Sequence, residues 1–546
     1  MAFYAKTVSS LVKQLPKSEF AGGQISRASA LYGEKFSFQA LYMSETQVNL
    51  GVHVKCVSPL SGSIKLYSVR CVPSMLPVHA LNDDYYISDK PGMYPDVLEP
   101  VAGPLTALKN IWQSVWVEVD VNDGYTPGDY DIDIVFSDND GCEIGRTSLV
   151  LEIIGVNLPK QDTIVTQWFH ADCIADVHRV EVLSENWWAL VREYMLMASS
   201  HGQNMILTPV FTPPLDTQVG GERTTVQLVD VWFNNNTYYF DFANLRRWIE
   251  LALECGFEYF EISHLFTQWG AKHAPKVMAH VGGEYKRIFG WETDSCGEEY
   301  TGFIREFVPK VIGVMEEFGL REKTVFHVSD EPHLEHMEEY SKCAALMKEL
   351  CGDIKIIDAL SNIDFYNSGA VRHPVPSSNR IEPFLEANIP WLWTYYCVSQ
   401  HTEYTSNRFM GMPSLRNRIL GVQLFKHNIA GFLQWGYNFY NTQYSIKHID
   451  PYSVTDAGQA FPSGDAFIVY PGQDGCLPSL RLKVFREAFQ DVRALKLASS
   501  LIGRAGVLAV LEKDIDPITF KQYPHDEYWL MDMREWINNC IKENMK

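Results

Sequence analysis

The strongest constraint on what this chain can fold into is a change of rhythm near residue 160. From residue 24 to 156 apolar and polar residues alternate with period two, most clearly in SIKLYSVRCV, SVWVEVDV, GDYDIDIVFS and TSLVLEIIGV. Side chains of a strand point to its two faces in turn, so each run fits a strand with one buried face. Gly, Pro, Asn and Asp separate the runs, and the Pro-Gly turn in TPGDY, residues 126–130, opens one of them. Many short strands with no helical period predict an N-terminal β-sandwich over residues 1–158.

Beyond NLPKQD, residues 157–162, the pattern becomes one of short, wholly apolar stretches: TIVTQWFH, NMILTPVF, YFEISHLF, KTVFHVSDEP, DIKIIDALS, GAVRHPVPS, IPWLWTYYC and IAGFLQWGYNFY. Helical segments such as ENWWALVREYMLMASSHG and TGFIREFVPKVIGVMEEFG stand between them. Strands that are apolar throughout and joined by helices imply a parallel sheet covered on both faces. Eight of them predict a (β/α)8 barrel of the TIM type over residues 159–450, with GAVRHPVPS as its sixth strand despite Pro374. Residues 451–546 read as a loop and helical extension packed on the barrel, with Arg481 and Arg486 on the solvated face of the helix SLRLKVFREAFQDVRALKLASSLIG. The expectation is a multidomain β plus α/β protein.

Composition narrows the partners. A formal net charge of -21 over 546 residues repels phosphate backbones and anionic lipid, so neither nucleic acid nor membrane is expected as a partner. No window approaches the roughly 18 uninterrupted apolar residues of a membrane span. The start, MAFYAKTVSSLVKQLPKSEF, has no apolar signal core, which predicts a cytoplasmic chain. Eleven cysteines without CxxC spacing read as free thiols in a reducing compartment. His170, Asp172, Cys173 and His178 lie close in sequence, but no ligand spacing recurs, so no metal and no organic cofactor is expected. Aromatic residues make up 13%, with 14 Trp and 27 Tyr, which suits surfaces that stack on ring-shaped ligands such as sugars.

The stretch HVSDEPH, residues 327–333, places Asp330 and Glu331 side by side where a core strand ends. Catalytic groups of a barrel stand at the C-terminal ends of its strands. Cleaving a glycosidic bond needs a proton donor for the leaving oxygen and a second group that stabilises or captures the charge at the anomeric carbon. Adjacent acids suit the variant in which the sugar's own 2-acetamido oxygen attacks: Asp330 orients the amide and Glu331 protonates the departing oxygen. An ionised Asp330 disfavours ionisation of Glu331 and so favours the acid form. Pro332 is expected to hold Glu331 in extended backbone. The other strand ends supply candidate sugar contacts: His170 beside Trp168 on the first, His264 on the third with Trp269 beyond, Asp358 on the fifth, Trp393, Tyr395 and Tyr396 on the seventh, and Trp435 and Asn438 on the eighth.

These residues resemble glycoside hydrolase family 123. The likeness rests on HVSDEPH, QWFHADCIAD, WLWTYYC, GFLQWGYNFYN and YPGQDGCLPSLRLKVFREAFQDVRAL, and runs the length of the chain in order. It implies a β-sandwich followed by a (β/α)8 barrel and a retaining, substrate-assisted β-N-acetylgalactosaminidase. It further implies Asp330 as the acetamido-orienting residue, Glu331 as acid/base, and a tyrosine on the acetamido oxygen, which falls on Tyr395 or Tyr396. The expected partner is a carbohydrate with a terminal N-acetylhexosamine. Two alternatives stand beside this: a conventional glycosidase with Glu331 as acid and a nucleophile such as Glu403, and a carbohydrate-binding protein without catalysis.

Overall fold

A computed structural model describes residues 3–16, 19–515 and 517–545; Met1, Ala2, Lys17 and Ser18, part of the N-terminal stretch read above, lie outside the described residues. The N-terminal part forms two five-stranded sheets. One runs in the order Phe3–Ser9, Glu34–Ser44, Gln113–Val121, Ile64–Ser74, Gly92–Pro100, the other Arg27–Tyr32, Glu143–Asn157, Gly128–Ser137, Asn49–Val57, Leu105–Ala107. The alternation decides what faces inward: Phe38, Ala40 and Tyr42, Val115, Val117 and Val119, Ile132 and Ile134, and Leu149 and Leu151 form one shared core. Each buried Val, Leu, Ile or Phe among them contributes about 1.5–3 kcal/mol.

The first sheet departs from the expectation of one buried face. Gln39, Leu41, Trp116 and Glu118, on its other side, are buried too. The helix Leu480–Ile502 lies against that side, and Lys483 and Arg486 both reach Glu118, at 2.8 and 2.5 Å. Arg481 is only 1% exposed and forms a double ion pair with buried Asp96, both contacts at 2.8 Å. Arg481 and Arg486 are therefore wedged inside the molecule instead of lying on a solvated face, because this helix is sandwiched between two layers.

The eight apolar stretches do become eight parallel strands. Five pair in the order Met205–Thr208, Tyr259–Ile262, Thr324–Phe326, Lys355–Leu360, His373–Pro376, and three in the order Ile164–Gln167, Gly431–Gln434, Trp393–Tyr395. Contacts where the two ladders meet are sparser. On one side a single bridge joins Ser377 to Tyr395, and the Thr394 hydroxyl donates to Pro376 O at 2.9 Å. Pro374 and Pro376 have no N–H to give, which limits pairing there. On the other side the Asn204 N–H donates to Val165 O at 3.2 Å and Val165 N–H to Asn204 Oδ1 at 2.8 Å.

Successive strand residues face a central apolar cluster (Met205, Leu207, Val325, Ile357, Val375, Trp393, Leu433) or the surrounding helices (Val165, Ile206, Phe260, Phe326, Phe432). The sequence pattern did not foretell a four-stranded sheet inserted between the second and fourth of these strands, made of Asp230–Asn234, Thr237–Asp241, Val277–Val281 and Glu284–Phe289. No helix among the described residues is long and apolar enough to cross a membrane.

Candidate active site

The fourth parallel strand delivers Asp330 and Glu331, both half-buried, into a cavity of about 200 Å³. Trp168, Tyr395 and Trp435 come to its wall from the ends of the first, seventh and eighth strands, and Asp216, Gln268, Trp269, Tyr444 and Phe461 from loops. Those loops are tied together: the Asp216 N–H donates to Gln268 Oε1 at 2.6 Å, and the Tyr444 N–H to Asp216 Oδ2 at 3.1 Å.

Glu331 does not have the extended backbone expected before a proline. Its φ is +43°, in the left-handed region, where a non-glycine residue costs on the order of 1–3 kcal/mol and persists only if its surroundings impose the shape. They do. The Glu331 N–H donates to Ala359 O at 3.0 Å, the Trp269 N–H to Asp330 O at 2.8 Å, and the Ser329 hydroxyl to Thr267 O at 2.9 Å. The acid pair is thus pinned to the fifth strand on one side and to the loop after the third on the other.

The electrostatics also differ from the sequence argument. Burial holds the Asp330 carboxyl well above the usual carboxylate range, and the charge of Glu331 adds to this, so the upward push falls on Asp330. The Tyr395 hydroxyl donates to Glu331 Oε1 at 2.5 Å. Beneath the pair lies a wholly buried chain. His327 Nε2 meets Glu261 Oε1 at 2.5 Å, and its Nδ1 lies 3.4 Å from Asp358 Oδ1. Burial alone would lower the His327 pKa, but the bonds to Asp358 and Glu261 outweigh it and push it up to about 9. Glu261 also accepts from Trp168 Nε1 at 2.8 Å, and Asp358 from the N–H groups of Val328 and Ser329 at 3.0 and 3.2 Å and from the Tyr340 hydroxyl. His327, buried between Glu261 and Asp358, thus links the third and fifth strands through the strand that carries the acids.

Several expected sugar contacts stand elsewhere. Asp358 belongs to that buried chain, and His264 stacks on His327 with ring centroids 4.2 Å apart. Asn438 clamps the His170 backbone, accepting from its N–H at 2.8 Å and donating to its carbonyl at 3.0 Å, while the His170 ring contacts Trp435 O and Arg223. Trp393 shares a face with Tyr395 but lies deeper in the central cluster, close against Gly431. Tyr396 points to the opposite face and packs on Phe432, 4.8 Å between centroids. None of these six side chains is part of the cavity wall. Glu403 is exposed and paired with Lys521 at 2.9 Å, away from the acid pair. Asp172 is bound by Arg223 at 2.8 Å, and among the described residues no group of three or more His, Cys, Asp or Glu is arranged to hold a metal.

Sequence reasoning missed Asp216, Gln268, Tyr444 and Asp465, which lie in loops without periodicity, and Glu261 and His327. A carboxylate and a histidine inside otherwise apolar strands were the available signal for the last two. Asp465 accepts from Trp435 Nε1 at 3.0 Å, and burial pushes it up to about 7; burial likewise takes Asp216 to about 6. A carboxyl whose folded pKa exceeds its unfolded value, about 3.9, stabilises fully below that value and loses the contribution as pH rises through the folded pKa. Asp465→Asn keeps an acceptor for Trp435. Its Tm relative to wild type is expected to rise between about pH 4 and about pH 7, and a flat difference over that range would contradict the assignment.

A family model described as the glycoside hydrolase 123 catalytic domain matches residues 168–498, more than half of the chain. The chain belongs to glycoside hydrolase family 123. No curated protein matches it. Among solved structures, a family 123 glycoside hydrolase from Clostridium perfringens, studied for glycolipid glycan hydrolysis, superposes with a TM-score of 0.74 at 14% identity, covering 99% of this chain and 97% of that one. This likeness speaks for the fold. A Parabacteroides merdae β-glucuronidase (10% identity, TM-score 0.33, 89% of this chain and 52% of that) and a Thermotoga petrophila endo-β-1,4-mannanase (12%, 0.34, 62% and 77%) superpose too poorly to carry an argument. As a family 123 member the protein is a glycosidase acting on a carbohydrate, and the cavity at the acid pair is its candidate site.

Proposed function

We propose that this glycosidase is a retaining exo-β-N-acetylhexosaminidase, selective for terminal β-linked N-acetylgalactosamine and working by substrate assistance. In this reading the two parallel ladders act as one (β/α)8 barrel spanning residues 159–450, carried between an N-terminal sandwich (1–158) and a C-terminal extension (451–546). The observation that carries the reading is the adjacency of Asp330 and Glu331 in a cavity with tryptophan walls. Two neighbouring acids serve different partners on one sugar: the amide and the glycosidic oxygen.

Glu331 gives its proton to the leaving oxygen as the C1–O bond breaks, and the acetamido carbonyl oxygen closes on C1 to form an oxazolinium ring. Asp330 accepts the amide N–H, which even a protonated carboxyl does through its carbonyl oxygen. The Tyr395 hydroxyl, resting on Glu331, turns to the acetamido oxygen once the sugar is bound. Water then opens the ring with Glu331 as base, restoring the β configuration. Trp168 and Trp435 stack on the pyranose.

A second reading is favoured by one observation: Asp216 lines the same cavity, and burial raises its pKa to about 6. It would replace Glu403 as the second carboxylate of a conventional mechanism. The test is release of nitrophenol from the β-N-acetylgalactosaminide, the β-N-acetylglucosaminide and the unsubstituted β-galactoside. Turnover confined to acetamido sugars is expected. Comparable turnover of the plain galactoside would overturn substrate assistance and turn attention to Asp216.

A further inference from the structure

The inserted four-stranded sheet has two unlike faces. Inward, Tyr238 and Phe240 pack on the helix Glu298–Glu317, where both meet Phe303 at 5.0 and 5.7 Å between centroids. Val231, Val277 and Ala279 are buried beside them. Outward, one row crosses all four strands: Trp232 pairs with Tyr239 on one side and with His280 on the other, and His280 pairs with Tyr285. The row spans three strand spacings, about 14 Å. Tyr239 and Tyr285 are 57% and 49% exposed, and Trp232 and His280 half-buried. Three of the rings touch in turn, with centroids 5.2 Å apart for Trp232 and His280 and 4.8 Å for His280 and Tyr285. Polar pairs flank this row on the same face, Asp230 with Asp241 on one side and Asn234 with Thr237 on the other.

Cross-strand aromatic pairs add stability to a sheet, but the inner face already packs this one onto a helix. Four rings left in contact with water, rimmed by hydrogen-bonding side chains, are the mark of a ligand surface. We propose that this outer face is a second carbohydrate-binding surface, taking a neutral oligosaccharide outside the catalytic cavity. The rings meet the apolar C–H faces of the sugars, and Asp230, Asp241, Asn234 and Thr237 bind their hydroxyls. Asp230 and Asp241 repel sulfated, sialylated or phosphorylated chains.

A chain of hydrogen bonds ties the sheet to the cavity wall. Lys276, at the foot of the strand Val277–Val281, donates to Arg223 O at 2.6 Å, and Arg223 Nη1 donates to the carbonyl of Leu215, a wall residue, at 2.8 Å. Arg287, on the last strand, donates to Glu222 Oε1 at 2.6 Å. A glycan held on the rings is thereby held at a set position relative to the acid pair. The proposal rests on the glycosidase family and not on the acetamido mechanism.

The test applies the full chain with Glu331→Gln to an array of neutral, sulfated and sialylated oligosaccharides, with and without Tyr239→Ser/Tyr285→Ser; Trp232→Ala serves as a second variant. Retention of neutral glycans is expected, weakened about tenfold by either set of changes. Hydrolysis of the nitrophenyl monosaccharide by chains with native Glu331 should be unaffected by them. Absence of retained glycans, or equal retention by the variants, overturns the proposal. So does loss of self-association in sedimentation with glycan retention intact, which would make the face a contact between copies. A failed acetamido test with ring-dependent retention would sink the mechanism above and leave this surface standing.

Discussion

Replacing Glu331 by Gln is expected to reduce kcat/KM on an unactivated glycan by roughly 10²–10⁴-fold, the contribution of a positioned general acid. The amide keeps the size of the side chain and an oxygen to accept the Tyr395 hydroxyl, so the cavity retains its shape. What is lost is the proton for the leaving oxygen. The size of the loss should therefore depend on the leaving group: large for a sugar alcohol, far smaller for dinitrophenolate, which departs without protonation. Asp330→Asn should also cost activity, but with little dependence on the leaving group, because Asp330 acts on the amide. The measurement is kcat/KM for each variant across aryl leaving groups of graded acidity and one glycan. A Glu331→Gln enzyme with wild-type rates on the glycan would remove Glu331 from the mechanism, and parallel losses in both variants would remove the division of roles.

Arg481→Ala is expected to destabilise the fold by about 3–5 kcal/mol, the cost of stranding a buried charge. The guanidinium bonds both oxygens of Asp96 at 2.8 Å and the carbonyls of Gly464 and Phe467 at 2.7 and 3.0 Å, and Tyr470 donates to the same carboxylate at 2.5 Å. Removing the cation leaves buried Asp96 without its direct ion-pair partner. Replacing both partners, as in Arg481→Met/Asp96→Leu, should cost less than the single change, since it removes the unpaired charge as well as the attraction. Urea unfolding followed by circular dichroism decides this. A single-variant loss below about 1 kcal/mol, the range of an exposed ion pair, would show that the site is hydrated.

The acid pair was legible because three signals coincide within seven residues: an apolar strand, two carboxylates, and a proline. The neighbouring tyrosines were not separable. Tyr395 and Tyr396 point to opposite faces of one strand, and only its register against Gly431–Gln434 decides that Tyr395 meets Glu331 while Tyr396 packs on Phe432. Trp393 shows the complementary error: it lies on the correct face, two residues too deep to reach the cavity. Arg481 and Arg486 have the spacing of a solvated helix face, and only the sheet laid over them makes them internal.

The eight parallel strands, their order and the place of the adjacent acids Asp330 and Glu331 are readable along the chain because periodicity and strand ends are local properties of a few consecutive residues. The rest is decided in three dimensions. Asp216, Gln268, Glu331, Tyr395, Trp435 and Tyr444 form one cavity across more than two hundred residues of sequence, and their loops carry no repeat that encodes the meeting. The same holds for the upward pKa shifts of Asp330 and His327, which depend on burial and, for His327, on carboxylates brought from other strands. A pKa shift is set by what lies within a few ångströms of the group, and that neighbourhood exists only after the chain has folded.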